Sequence, residues 1–338
     1  MKNFLKKRWD RWVKMWDHHE HPRVLGLIRI LVGLVLFYDF VYLWNLGLVD
    51  TLFAPHTDGG ISNVMDRPSL PLIYQWFPQS AETARTLHLL ICLSAFCFTI
   101  GFFTRTSGLV LLLLYAQSAQ IMPAGDRGID LMMRNVVFLL LFSRCGDWCS
   151  IDARRKTGNF FGQGALAPAW PRHLLILQLV VMYFAAGVQK VGMDWMPMSG
   201  FSGLYVVLQD PAVSRADFSW LANWYPITQL ATATTMLFEW LSPIVLLTYH
   251  FRVTPEKDGR LRRFYRRWKP HYIWIAVGVF LHIGIAVTLA LGIFPYAMLA
   301  LYPAFLHPDE LETLKNRLFS RARSRQDFQT ERARSPTE

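Results

Sequence analysis

Charge is what this chain is short of. Only 17% of its 338 residues are Asp, Glu, Lys or Arg, while 53% are hydrophobic and the mean hydropathy is +0.23. Soluble domains carry about 25% charge, so the deficit excludes an ordinary soluble fold and names the lipid bilayer as the first partner. Cysteine is scarce as well. Four cysteines cannot frame a disulfide scaffold, and the C-x3-C pair Cys145 and Cys149 has no histidine near it. No metal is expected there. The glycine-spaced "GNFFGQG" (158–164) lacks the Gly-Lys-Ser/Thr of a phosphate loop. A small-x-small cleavage site is missing after the first apolar segment, which therefore reads as a span rather than a signal peptide. The net charge of +11 would suit nucleic acid, but the basic residues sit between apolar segments and at the ends. Membrane topology explains that placement, and no nucleic-acid partner is expected.

What the chain does have is a series of apolar runs long enough to cross a bilayer. Spans are expected at 24–47, 86–103, 106–121, 129–143, 172–191, 227–249, 271–292 and 295–306, an all-α integral membrane protein of about eight transmembrane helices. Residues 1–23 precede them as an amphipathic interfacial helix, with Phe4, Leu5, Trp9, Trp12, Val13 and Trp16 on one stripe. The transmembrane domain is assigned to 24–312 and a basic, disordered tail to 313–338. The loop at 250–270 holds eight basic residues, whereas 192–226 holds only Arg215. This alternation places both termini in the cytoplasm of a cell inner membrane and the loops 48–85 and 192–226 outside. The histidine-rich "HHEH" (18–21) offers metal ligands, but its position reads as a solvated polar hinge.

Ionisable residues inside spans cost roughly 2.5–3.5 kcal/mol each on insertion scales, so each needs a reason. Asp39 and Arg134 are expected to pair across helices. Glu239 and His282 lie near mid-depth of adjacent spans and are expected to meet. Lys190 closes a run, from Leu174 to Gln189, that holds no charge, and an Asp194-Trp195 pair follows it. Two readings stay open for it. A lysine at a membrane boundary can snorkel to the headgroups, which the pattern alone favours. Held in apolar surroundings, it loses hydration, sheds its proton and becomes a base.

A resemblance weighs on that choice. "AAGVQKVGMDW" (185–195) resembles a segment of the vitamin K-dependent gamma-carboxylases and of the wider horizontally transferred transmembrane (HTTM) domain family. "DGGISNVMDRP" (58–68), "GFFTRTSGLVLLLLY" (101–115), "WCSIDA" (148–153) and "LHIGIAVTLALGIFPYAMLALYPAFLHPDE" (281–310) are similar to further family segments, in the family's order. The resemblance implies the same membrane fold. It also implies a lyase-type carboxylation, in which the lysine at Lys190 deprotonates vitamin K hydroquinone or a menaquinol-type relative. O2 then makes an epoxide and a strong base, and CO2 adds to a peptide glutamate. His282 matches the family's histidine.

Departures from the family pattern are also plain. Where the carboxylases carry Asn-Asn-His, this chain reads "PAGDRGID" (123–130), and Asp126 and Arg127 are the polar groups expected at the same outer mouth. The catalytic candidates are therefore Lys190, His282 and Glu239, and the substrate-binding candidates Asp126, Arg127, Asp194 and Trp195. One function class is a quinol-dependent membrane enzyme. The other is a non-catalytic HTTM module acting in maturation of, or immunity to, a secreted peptide. A transporter is the weaker third, since the chain shows no internal repeat.

Overall fold

The structure is a computed structural model that describes residues 16–62, 70–254 and 257–313, together with Lys6, Trp9, Asp10 and Val13. Most of the expected interfacial helix, the tail from 314 and the second half of the 58–68 segment lie outside the described residues. The described chain is mostly helical, and its one strand pair is β1 (His19–Glu20) with β2 (Ala167–Pro168), two residues each.

The principal helices are α1 (Arg23–Asn45), α2 (Ala81–Ile100), α3 (Thr104–Ile121), α4 (Gly128–Leu141), α5 (Trp170–Gln189), α6 (Tyr225–Trp240), α7 (Leu246–Val253), α8 (Arg260–Trp268), α9 (His271–Thr288) and α10 (Phe294–Leu301). Four of them, α1, α2, α5 and α9, are long and apolar enough to cross a membrane. A fifth crossing is available if Ser219–Trp240 and Ser242–Arg252, bent by 47° at their junction, form one broken span. The other three expected spans are helices of a different kind. α3 has 18 residues but is polar at both ends, from Thr104 to Ser107 and from Gln117 to Gln120. α4 has 14 residues, or ~21 Å of helix at 1.5 Å per residue, against a hydrocarbon core of ~30 Å. The apolar stretch Phe294–Phe305 is shorter still.

One core runs through the bundle, with α1 inside it. Val24, Ile28, Val32 and Leu36 recur at helical spacing and are fully buried. Arg29 lies on that same buried face, and its reason is a carbonyl cluster. It donates through Nη1 to the Cys145 carbonyl at 2.9 Å and through Nη2 to the Cys149 carbonyl at 2.5 Å. Those carbonyls belong to the turns after α4, where no helix continues to satisfy them.

Two of the sequence segments singled out above meet at the tight turn between α2 and α3. Gly101 takes a φ of +68° there, and a Cβ would stand 2.4 Å from Ser150 and 2.7 Å from the Arg29 guanidinium. Asp152 then accepts from the Phe103 and Thr104 amides at 3.0 and 2.7 Å and from the Thr104 hydroxyl at 2.8 Å. One carboxylate thus caps the amides at the start of α3.

The stretch at 18–21 is solvated only in part: His18 and His19 are exposed, as expected of a polar hinge, but Glu20 is not. Glu20 is buried and both of its oxygens sit 2.6 Å from the Arg172 guanidinium at the start of α5. The β1–β2 pairing, with Glu20 opposite Ala167, carries Glu20 inward beside that arginine.

Candidate functional site

Lys190 stands where α5 stops. Its φ of −76° and ψ of 64° leave the helical region, so the last turn ends at Gln189. Tyr183, Gly187 and Lys190 lie at i, i+4 and i+7, one face of α5. Gly187 is the close approach on that face. A Cβ there would be 2.6 Å from the Trp240 ring and 2.9 Å from Cβ of Glu239, so only glycine lets α6 come this near.

That approach delivers Glu239. Both of its carboxylate oxygens lie 2.6 Å from Nζ of Lys190. The lysine side chain is 22% exposed and the glutamate 9%. Nζ also stands 5.2 Å from the centre of the Trp195 ring, a cation–π contact that adds about 0.5–2 kcal/mol. Trp195 is held in turn by Gly203, where a Cβ would fall 2.8 Å from the indole.

Glu239 sits in the last turn before the helix breaks. Ser242 and Pro243 follow, the Ser242 hydroxyl bonds the Val180 carbonyl on α5 at 3.0 Å, and the axis turns by 47°. Proline has no N–H to give to a continuing helix. Irregular backbone at membrane depth survives only inside protein or around a cavity, and discontinuous helices are a common frame for binding sites.

Two turns back along α5, a second polar group is sealed in aromatic packing. The Tyr183 hydroxyl lies 2.8 Å from Nε2 of His282 on α9 and 3.0 Å from the Tyr302 hydroxyl beyond α10. All three residues are buried. Phe238 and Trp274 stack at 4.5 Å and both meet the Tyr183 ring edge-on. Among the described residues Nδ1 of His282 has no hydrogen-bond partner.

Several expected pairings are different in the structure. Glu239 and His282 do not meet: the carboxylate goes to Lys190 and the imidazole to Tyr183. Phe238 presents its ring to Tyr183, and the next residue, Glu239, faces the Lys190 end of the same helix. Asp39 and Arg134 do not pair either. Asp39 bonds Arg127 at 2.7 Å, and Arg134 makes two 2.7 Å bonds to Asp126. The cause is depth. Asp39 lies in the last third of α1, level with the turn before α4, so the nearer arginine of that turn reaches it. Asp126 and Arg127 therefore do not neutralise one another. Asp194 accepts from the Ser202 hydroxyl at 2.7 Å and holds its own loop rather than Lys190.

The network around Arg127 is closed on itself. Arg127 also bonds both oxygens of Asp130, at 2.8 and 2.9 Å, and Asp130 receives the Tyr115 hydroxyl at 2.5 Å. Burial works against the Arg127 charge. Hydrogen bonds to Asp130 and the charges of Asp39 and Asp130 outweigh it and hold the guanidinium above arginine's usual range. Of the seven site residues expected from sequence, the structure brings together Lys190, Glu239 and Trp195. It adds Tyr183 and Tyr302 to His282.

A family model described as the HTTM domain matches residues 18–254, well over half of the chain. The chain belongs to the HTTM domain family. No solved structure matches it. The matched stretch of this HTTM protein includes α1 to α7, with Lys190, Trp195 and Glu239 inside it. His282 and Tyr302 lie beyond it, in the segment 281–310. The HTTM domain is the membrane domain of gamma-carboxylase-like proteins, and this one is built from apolar helices of spanning length.

Proposed function

We propose that this HTTM protein is a bacterial inner-membrane enzyme acting on a lipid-soluble hydroquinone of menaquinol type. Its eight helical segments, α1 to α5, α6 with α7, α9 and α10, would cross the bilayer with both termini in the cytoplasm. The site then lies at the extracytoplasmic end of α5. The observation that carries the reading is the Lys190–Glu239 pair, 2.6 Å apart beside a helix break and under the Trp195 ring. A bound hydroquinone supplies an acidic hydroxyl and two electrons.

The chain's own part is proton handling. The base reading of the sequence leads one to expect an amine left alone in apolar surroundings; the amine is instead paired. An ammonium and a carboxylate at 2.6 Å can exchange one proton. Once that exchange places the proton on Glu239, Lys190 presents a lone pair. Lys190 then takes a proton from a hydroxyl placed beside it, and its new positive charge is balanced by the oxyanion left behind and met by the Trp195 ring. Aromatic packing around Tyr183 keeps water from the inner side. By resemblance, O2 and CO2 would be the co-substrates and a peptide glutamate the acceptor.

A second reading is the non-catalytic module acting in maturation of, or immunity to, a secreted peptide. One observation favours it: the ion pair engages both oxygens of Glu239. One experiment separates the two. The Lys190→Arg protein, folded as judged by its melting temperature, is reconstituted in liposomes with reduced menaquinone and hydroquinone oxidation is followed. A guanidinium keeps the ion pair but does not give up its proton. The enzyme reading requires an active wild type and an inactive variant; equal rates in the two would leave the module reading.

A further inference from the structure

Away from Lys190, at the opposite end of α5, two stretches 287 residues apart in sequence bring metal-binding side chains together. His18, Glu20 and His307 place ligand atoms within 4.8 Å of one another. We propose that these three residues bind a divalent cation of the zinc class, clipping the chain before α1 to the chain after α10. This inference is independent of the hydroquinone reading.

The local backbone explains two of the ligands. His18 donates nothing to the β pairing but its carbonyl receives the Ala169 amide at 2.8 Å, which extends the ladder of β1 and β2. In extended chain, residues i and i+2 share a side, so His18 and Glu20 face one way and His19 the other. His19 is exposed, with Nδ1 2.9 Å from the Asp17 carbonyl.

A single guanidinium fixes the third. Arg172 holds both oxygens of Glu20 and also donates to the carbonyls of Ala304 at 3.1 Å and Leu306 at 3.5 Å. The residue after Leu306 is His307. Arg172 thus sets the spacing between the carboxylate and the second imidazole, and its own charge cancels that of Glu20. Each carboxylate oxygen has two lone pairs, so Glu20 keeps one free for a metal while bonded to arginine.

Outer partners of the kind metal sites use are already in place. Nδ1 of His307 receives the Asp309 amide at 3.4 Å and stands 3.3 Å from Oδ2 of Asp309; both contacts orient the ring and fall on Nδ1, so Nε2 is the nitrogen turned to the cluster's metal. Two imidazoles and one carboxylate suit zinc and its neighbours rather than calcium or magnesium, which take oxygen ligands. Metal–ligand bonds of about 2.0–2.2 Å put tetrahedral ligand atoms roughly 3.4 Å apart. The cluster needs to close by at most about 1.4 Å, which the exposed His18 side chain can supply by rotation while its backbone stays in the ladder. Water fills a fourth position.

The test is zinc binding by the full-length protein in detergent, after chelator treatment, read by competition with a chromophoric chelator and by metal analysis. One Zn2+ per chain is expected. His307→Ala and His18→Ala should each weaken binding at least about 10-fold, and Asp309→Asn about 10-fold without altering the ligands themselves. His19→Ala and His21→Ala should leave it within about 2-fold. Zinc should also raise the melting temperature of the wild type but not of His307→Ala. No saturable binding at one per chain overturns the proposal. So does binding that follows His19 and His21 while ignoring His307 and Asp309, since that is only a surface histidine run.

Discussion

The two carboxylate oxygens of Glu239 lie 2.6 Å from the Lys190 nitrogen, although 49 residues separate them and the helix bearing Glu239 breaks just beyond it. The pair is mostly dehydrated, at 22% and 9% exposure. Removing one member of a fully buried pair costs roughly 3–5 kcal/mol, while replacing both by apolar groups is often neutral. The partial exposure of Lys190 lowers that, so Glu239→Gln is expected to cost about 1–3 kcal/mol. The double variant Lys190→Met, Glu239→Leu should melt within a few degrees of wild type. A thermal melt in detergent reads both, and a double variant worse than either single one would show that the pair does not act as a unit.

Gly187 sets how near α6 comes to α5. Gly187→Ala pushes a methyl into the Trp240 ring, an overpacking expected to cost about 1–3 kcal/mol, and it moves Glu239 away from Lys190. Melting and hydroquinone oxidation should therefore fall together. If stability drops and the oxidation rate per folded molecule stays at wild-type level, the pair is not the reacting group.

Tyr183 serves His282 and Tyr302 at once. Tyr183→Phe leaves both without that partner in a buried setting, at an expected cost of about 1–3 kcal/mol. Tyr302→Phe removes only one bond, so it should be milder. Chemical or thermal unfolding of the two variants side by side checks the order.

Glu310 gives a pH dependence on the cytoplasmic side of the proposed topology. Burial alone would raise its pKa, but the His307 amide, the nearby Arg252 charge and bonds from Tyr272 and Arg252 hold it below the usual carboxylate value. A depressed folded value means that its contribution is complete above the unfolded value and is lost as pH falls through the folded one. Acidification from pH 6 to below 4 should lower the wild-type melting temperature more than that of Glu310→Gln. Equal slopes would remove the role assigned to this carboxylate.

The membrane class, four of the spanning helices and the place of Lys190 at the end of α5 could be read from hydropathy, because burial in lipid follows composition. The i, i+4, i+7 spacing of Tyr183, Gly187 and Lys190 was present in the sequence as well. Partner choice was not legible. From the sequence Asp39 pairs across helices with Arg134, yet a difference of two helical turns decides for Arg127. Glu239 was matched with His282, yet the rotation of α6 turns neighbouring residues to different faces. Glu20 looked solvated because its partner, Arg172, lies 152 positions later and is itself fully buried.

The bend after Trp240 makes α6 and α7 two rods joined at an elbow, with Glu239 on the last turn of the first rod. Lys190, by contrast, is fixed to α5, which bonds the second rod through Ser242 and Val180. Straightening or tightening the elbow therefore changes the distance between acid and base without unwinding either helix. In the proposed mechanism the Lys190–Glu239 separation, and with it proton exchange, depends on the angle of that joint.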